Sequence, residues 1–253
     1  MKSDRLKGDV AVVTGAASGL DRGIAYELAM NGAIVYCADL NDQGAQETAD
    51  KIVKDGGTAY PLHMDIGSTE SVNAAFKELF DKSGRLDILV NGAAVSRFSQ
   101  LPECSDDEWN FVININLSGT FRTIRAAYPY FKQTGGGRIV NISSTSGKSG
   151  GNWSGAHYVA AKAGVIGLAR YCAGYMCKDN IRANAICPGV AETPLTADAN
   201  GEKLEKMLKN IPMHRMATPE DVAGAVMFLV SDESKYITGI TVDVTGGRYI
   251  YNN

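Results

Sequence analysis

The sequence predicts an α/β fold: one doubly wound domain built on a mostly parallel seven-stranded sheet, with helices on both faces. Three observations carry this. Seven short, β-branched apolar runs alternate with amphipathic stretches of ten or more residues, the length a crossover between parallel strands needs. Runs such as Ile88-Leu89-Val90 are continuously apolar, as in a strand covered on both faces. A glycine-rich turn joins the first apolar run to the first amphipathic stretch.

In chain order, the apolar β-branched run Asp9–Thr14 is a strand and the amphipathic stretch Leu20–Asn31 a helix. The same two patterns give a strand at Ala33–Ala38, a helix at Gln43–Asp55, a strand at Thr58–His63 and a helix at Thr69–Lys82. They continue with a strand at Leu86–Val90, a long helix at Asp106–Phe131 and a strand at Arg138–Ser143. A helix at Ala156–Cys177, a strand at Ile181–Ile186, a helix at Pro219–Val230 and a strand at Ile240–Val244 complete the set. The segment Val190–Met216 lacks a strand and reads as a mobile flap. No Pro/Ser-rich linker and no internal repeat divides the chain, so residues 1–253 form one domain.

Composition narrows the function classes. The chain has 253 residues, 45% hydrophobic and 21% charged, which is ordinary for a soluble globular protein. Its 25 basic and 28 acidic residues leave a net charge of −3, without the basic excess of a nucleic-acid binder. No apolar run approaches the ~20 residues of a membrane span. The start, Met1 to Leu6, has no apolar signal region, so a cytoplasmic location is expected. Cys37, Cys104, Cys172, Cys177 and Cys187 are odd in number and irregular in spacing, which predicts neither disulfides nor a metal site. Gly147-Lys148-Ser149 looks like the end of a phosphate-binding loop, but the upstream glycine of that motif would fall at Ile142.

The turn Thr14-Gly15-Ala16-Ala17-Ser18-Gly19-Leu20-Asp21 leads from strand into helix. Such a turn exposes backbone N–H groups at a helix N-terminus, where they and the helix dipole attract a pyrophosphate; an ordinary tight turn is the plainer reading. Asp39 ends the second strand, 24 residues after Gly15. A carboxylate there accepts hydrogen bonds from a ribose 2′-hydroxyl and repels a 2′-phosphate, or else merely caps its loop. Neither Ser18 nor Leu40-Asn41 supplies an arginine for such a phosphate, which favours NAD over NADP.

Tyr158 and Lys162 stand four apart in a helical stretch and share one face. An ammonium beside a phenol favours the phenolate and lowers the tyrosine pKa, which suits an acid/base at a carbonyl or alcohol; a surface pair is the common alternative. The strand ending in Ile142-Ser143-Ser144 precedes this helix by a short loop, so Ser144 is expected at the carboxyl edge of the sheet, where ligands bind.

Together these residues resemble the short-chain dehydrogenase/reductase family, a single-domain Rossmann fold. The likeness runs from about Leu6 to Gly247: Thr14-Gly15-x-x-x-Gly19, Asp65, Asn91-Gly92-Ala93-Ala94, Asn116, Ser144, Tyr158/Lys162, Pro188-Gly189 and Thr193. It implies a catalytic tetrad of Asn116, Ser144, Tyr158 and Lys162. Tyr158 would be the general acid in reduction and base in oxidation, and Ser144 would hold the substrate oxygen. Lys162 would bind the nicotinamide ribose and acidify Tyr158, and Asn116 would hold a water of a proton relay. The cofactor would lie along Gly15, Ser18, Gly19, Leu20, Asp39, Leu40, Asp65, Ile66, Asn91, Ala93, Pro188, Gly189, Ala191 and Thr193. A homotetramer is implied, with the helices bearing Asn116 and Tyr158 at the contact.

Two departures stand out. Where the family's first turn usually carries a third glycine, this chain has Asp21. Near a helix N-terminus an acid is tolerated. Against a pyrophosphate ~5 Å away it costs about 0.8 to 3.3 kcal/mol for an effective dielectric between 80 and 20, or about fourfold to a few hundred-fold in affinity. Weakened but not abolished NAD binding is expected. The fourth turn reads Asn-Gly-Ala-Ala at 91–94 where Asn-Asn-Ala-Gly is usual, a milder change.

Substrate residues are expected in the loops 95–105, 145–157 and 190–216, with Arg97 and Trp153 as candidates beside Ser144 and Tyr158. Arg97 and Lys148 would greet an anion or be solvated loop charges; His157 reads as a rim residue. The mixed polar and aromatic lining points to an NAD(H)-dependent oxidoreductase that interconverts a secondary alcohol and a ketone on a small polyol, sugar or hydroxy acid. A 3-oxoacyl-carrier-protein reductase is the alternative within the class, and a non-catalytic nucleotide-binding scaffold the alternative outside it.

Overall fold

The computed structural model describes residues 4–150, 154–192 and 201–248. Trp153 and Thr193, both expected at the site, lie outside the described residues. The elements are β1 (Val10–Thr14), α1 (Gly19–Met30), β2 (Ile34–Asp39), α2 (Asp42–Lys54), β3 (Thr58–His63), α3 (Thr69–Ser83) and β4 (Ile88–Asn91). They continue with α4 (Asp106–Ile113), a π-helical segment (Asn114–Gly119), α5 (Thr120–Thr134), β5 (Gly137–Ile142) and α6 (Ser146–Ser149). The last are α7 (Ala156–Met176), β6 (Ile181–Pro188), α8 (Gly201–Lys209), α9 (Pro219–Val230) and β7 (Thr241–Val244).

The seven strands lie in the order β3-β2-β1-β4-β5-β6-β7, and every pairing is parallel. The expected mostly parallel sheet is thus wholly parallel, because each connection carries a helix long enough to cross over. Side chains alternate between the two faces along each strand. On β1, Ala11 and Val13 pack with Ile24 and Leu28 of α1 and Val222 and Val226 of α9. Val10 and Val12 face the other layer, with Phe76 and Leu79 of α3, Phe131 of α5 and Met176 of α7. Two apolar layers of this kind require strands that are buried on both faces, as their continuous hydrophobicity predicts.

Helix starts follow side-chain chemistry. Asn41 and Ser68 cap α2 and α3 by accepting from the amides of Gly44 and Ser71. Thr218 and Asp221 close α9 with a reciprocal capping box. Two expectations change. The helix expected over Asp106–Phe131 runs on to Thr134 and is interrupted by the π turn at Asn114–Gly119. The segment Val190–Met216, read as a flap, contains α8, and Ala191 bridges Ala217 in parallel.

β1 pairs with β2 on one side and with β4 on the other, and the chain winds outward from it in both directions. The loops leaving β1 and β4 therefore part in opposite directions. The crevice between their carboxyl ends is where open α/β sheets bind ligands.

Candidate active site

The floor of the crevice is held by Thr14, whose Oγ1 accepts from the amides of Gly92 (3.1 Å) and Ala93 (3.2 Å). Gly15 has φ +81°, and a Cβ there would come within 2.9 Å of the Ala93 backbone, so the close approach of the two turns requires glycine. Ser18 is the N-cap of α1 but its side chain makes no cap bond, which leaves first-turn N–H groups available to an anion. Asp39 accepts from the amide of Ala17 through Oδ2 (3.0 Å) and from that of Asn41 through Oδ1 (2.9 Å). It therefore caps the loop and is also fixed at the end of β2 beside the phosphate turn. Leu40 beside it is exposed. These features fit a dinucleotide: uncapped amides for the pyrophosphate and an anchored carboxylate for a ribose.

The other expected cofactor residues line the same edge. Asp65 closes the turn after β3 by accepting from Gly67 N (2.7 Å), and Ile66 packs on Gly119. The side chain of Asn91 is used internally: it donates to Asn141 Oδ1 (2.9 Å) and accepts from Thr123 (2.6 Å). Pro188 accepts from Thr145 N (3.2 Å), which joins the end of β6 to the loop after β5, and Gly189 and Ala191 follow it.

At the centre, Lys162 is buried and donates from Nζ to Ile142 O (2.8 Å), while Ser143 Oγ donates to Lys162 O (2.7 Å). These two bonds stitch the end of β5 to α7. The Lys162 Nζ lies 5.7 Å from the Tyr158 ring centroid. Burial pushes the Lys162 ammonium down to about 8, which the Asp21 carboxylate partly opposes. The expected lowering of the Tyr158 pKa does not occur here. Burial raises the phenol above its ordinary value, and a hydrogen bond with Ser144 only offsets part of this. The reason is geometric, since Lys162 spends its charge on the Ile142 carbonyl rather than on the phenol oxygen.

Asn116 sits in the π turn and is buried. Its amide donates to Val95 O (2.9 Å) and accepts from Val95 N (2.8 Å), so it anchors the start of the 95–105 loop. π turns often mark functional positions, and this one was not legible in the helical periodicity.

The end of that loop is anchored by His157 with Glu108 and Ser99, two residues the sequence did not single out. His157 is fully buried rather than on a rim, and its Nε2 lies 2.9 Å from Glu108 Oε1. The same oxygen accepts from Ser99 Oγ (2.6 Å). A Cβ at Gly155 would fall 2.4 Å from the His157 ring, so glycine makes room for it. Cys104 lies beside this pair, with donor atoms of the three residues within 4.8 Å of one another. The Glu108 oxygen is already shared by two hydrogen bonds, and the cluster acts as a clamp between α4, α7 and the loop.

Of the two candidate cations, Lys148 is partly exposed and paired with Asp243 at 2.7 Å, so it is not a lone loop charge. Arg97 is exposed and lies over the Phe111 ring, 5.3 Å from its centroid. The two departures from the family pattern meet. The Asp21 carboxyl fills the space above Gly92, where a Cβ would lie 1.7 Å from Oδ1.

A family model described as enoyl-(acyl carrier protein) reductase matches residues 15–248. The chain is 36% identical over 250 residues to the 3-oxoacyl-[acyl-carrier-protein] reductase FabG of Thermotoga maritima, covering 97% of this chain and 100% of that one. It is 38% identical over 244 residues to the FabG of Staphylococcus aureus, covering 95% and 98%. Among solved structures, the 3-oxoacyl-[acyl-carrier protein] reductase of Brucella melitensis superposes with a TM-score of 0.92 at 34% identity, over 98% of this chain and 94% of that one. A structure from Beutenbergia cavernae, assigned as an NAD(P)-dependent gluconate 5-dehydrogenase with NADP bound at low occupancy, gives 0.91 at 35% identity, over 97% and 98%. With this sheet order and these residues at its carboxyl edge, the chain belongs to the short-chain dehydrogenase/reductase family, whose members are oxidoreductases that act on CH–OH groups with a nicotinamide cofactor.

Proposed function

We propose that this chain reduces the 3-oxo group of an acyl thioester to a 3-hydroxyacyl product. The observation that carries the reading is the 36–38% identity, over nearly the whole chain, to relatives named 3-oxoacyl-[acyl-carrier-protein] reductase. An open groove between the 95–105 loop and the start of α7 is compatible with it: Ser99, Gln100, Leu101, Ser154 and Val159 line a mixed polar and apolar surface, and Phe98 of the same loop is exposed. This replaces the polyol, sugar or hydroxy acid as the leading substrate. The small polar substrate stays as second reading, supported by the likeness to the structure assigned as a gluconate 5-dehydrogenase and by exposed Arg97 at the loop.

In this reading Tyr158 supplies the proton to the carbonyl oxygen in reduction and removes it in oxidation, and Ser144 positions that oxygen. Lys162 would hold the ribose hydroxyls and, from there, acidify Tyr158; Asn116, its side chain bonded to Val95, would stand behind it for the relay water. The nicotinamide supplies the hydride. We propose NADH as the preferred donor, because Asp39 is fixed by two backbone bonds where a 2′-phosphate would have to sit. The NADP found in the gluconate dehydrogenase relative speaks for the other donor. A homotetramer is supported by the solvent-facing apolar surface of Leu117, Phe121, Leu168 and Tyr171 on the π turn, α5 and α7.

The test compares kcat/KM for an acetoacetyl thioester with a panel of polyols, sugars and hydroxy acids, each with both nucleotides. The thioester is expected to lead, with activity lost in Tyr158→Phe. A polyol leading would establish the second reading, and tenfold preference for NADPH would overturn the role given to Asp39. Silence across the panel with nucleotide binding retained would favour the nucleotide-binding scaffold.

A further inference from the structure

The space above Gly92 is filled from the other side of the crevice. Asp21, in the first turn of α1, points its carboxyl at the turn after β4. A Cβ on Gly92 would lie 1.7 Å from Oδ1 and 2.1 Å from Cγ, and one on Gly15 would lie 2.9 Å from Oδ2. The carboxyl is thus wedged between the two turns that form the crevice floor. Its Oδ1 is shielded from solvent and has no hydrogen-bond partner among the described residues. A side chain is absent at 92 and present at 21, where the family usually has the reverse, so the two departures are one exchange. Its outcome is a carboxyl group on the floor of the cofactor cleft.

The charged groups that act on this carboxyl are Lys162 from α7 and Asp39 from the end of β2. Lys162 favours the carboxylate and Asp39 opposes it, and no ion pair is formed by Asp21 among the described residues. The turns after β1 and β4 contribute no titratable side chain between Thr14 and Ser18 or between Asn91 and Ser96. Arg22, the next residue on α1, turns its guanidinium away to the Ala17 carbonyl, Thr48 and Glu47. A carboxyl so placed is short of compensation when ionised. As a neutral acid it has an O–H to donate to a phosphate oxygen; as an anion it repels one.

We propose that Asp21 makes cofactor binding proton-linked: the dinucleotide binds the form in which Asp21 is protonated, and the carboxylate form opposes it. The proposal rests on the reading of the crevice as a dinucleotide site. Burial pushes the Asp21 carboxyl up to about 7, so the switch falls near neutral pH. Affinity is expected to be greatest below pH 7 and to weaken above it. The total weakening lies between about fourfold and a few hundred-fold, the range for unit charges ~5 Å apart at an effective dielectric of 80 to 20. Binding near pH 7.5 should take up a fraction of a proton.

Isothermal titration calorimetry of NADH and NADPH into the full chain, between pH 5.5 and 8.0, reads both quantities when run in two buffers of different ionisation enthalpy. Lys162 is half deprotonated at the top of this window, so the readout is the difference in slope between the wild type and Asp21→Asn. The wild type should show Kd rising with pH, with proton uptake. Asp21→Asn, of the same shape but unable to ionise, should lose the part of the slope that Asp21 contributes and keep only the shallower part from Lys162, and Asp21→Gly should bind at pH 8.0 more tightly than the wild type. A wild-type Kd that is independent of pH, or the same slope in Asp21→Asn, overturns the proposal and leaves the cofactor site standing. No binding of either nucleotide by any of the three proteins overturns both.

Discussion

Replacing Gly92 with alanine tests the contact between the two departures directly. The added Cβ would stand 1.7 Å from Asp21 Oδ1, 2.1 Å from Cγ and 2.6 Å from Oδ2, all far inside van der Waals distance. The Asp21 side chain has to leave its place, yet Oδ1 is enclosed and the route toward Gly15 is closed by a turn already in contact with Ala93. Overpacking of this kind costs about 1 to 3 kcal/mol. For a domain of this size that is a fall in Tm of about 2 to 12 °C. Asp21→Gly removes the clashing atoms, so Gly92→Ala in that background should cost less than about 0.5 kcal/mol. Thermal or urea melts of the four proteins complete a double-mutant cycle, with an expected coupling of at least about 0.5 kcal/mol. Equal costs in the two backgrounds would refute the reasoning, because the Gly92 requirement would then come from the backbone and not from Asp21.

Further outcomes follow from the same geometry. Relative to Asp21→Asn, wild-type stability should be highest near pH 4 and fall as pH rises through about 7, because the folded-state pKa is raised from 3.8 to about 7 and the native state alone holds that proton in between; a constant Tm difference from pH 4 to 8 would contradict this. Asp39→Ser should shift the ratio of kcat/KM toward NADPH by at least tenfold, and should loosen the phosphate turn through loss of the Ala17 and Asn41 bonds. Glu108→Ala leaves the buried His157 ring without its partner, a cost of about 1 to 3 kcal/mol, and frees the far end of the 95–105 loop. KM for the substrate should then rise more than kcat falls, and Glu108→Gln should restore most of it.

A mostly parallel sheet, its seven strands and the placement of Ser144, Tyr158 and Lys162 were legible because each depends on short-range signals. Apolar runs mark strands, a four-residue spacing puts Tyr158 and Lys162 on one face, and a strand end places Ser144 at the carboxyl edge. The π turn was not legible, because the one-residue widening that re-aims Asn116 leaves the apolar periodicity of Asp106–Phe131 nearly unchanged. Helix α8 was missed in a segment whose neighbours offered no strand to pair with. The Tyr158 pKa was expected low from the charge four residues away, yet burial and the commitment of Lys162 to a backbone carbonyl outweigh it.

By itself the sequence determined the fold and the family, since these follow from patterns a few residues long repeated in a specific order. Tertiary structure alone decided which distant residues share a space. Asp21 meets Gly92, Glu108 meets His157, Val95 meets Asn116 and Lys148 meets Asp243. The physical reason is that packing and hydrogen bonding act over a few ångströms of space, whatever the separation along the chain. Two departures that looked independent at positions 21 and 92 became one carboxyl in one cavity only when the turns after β1 and β4 were brought together.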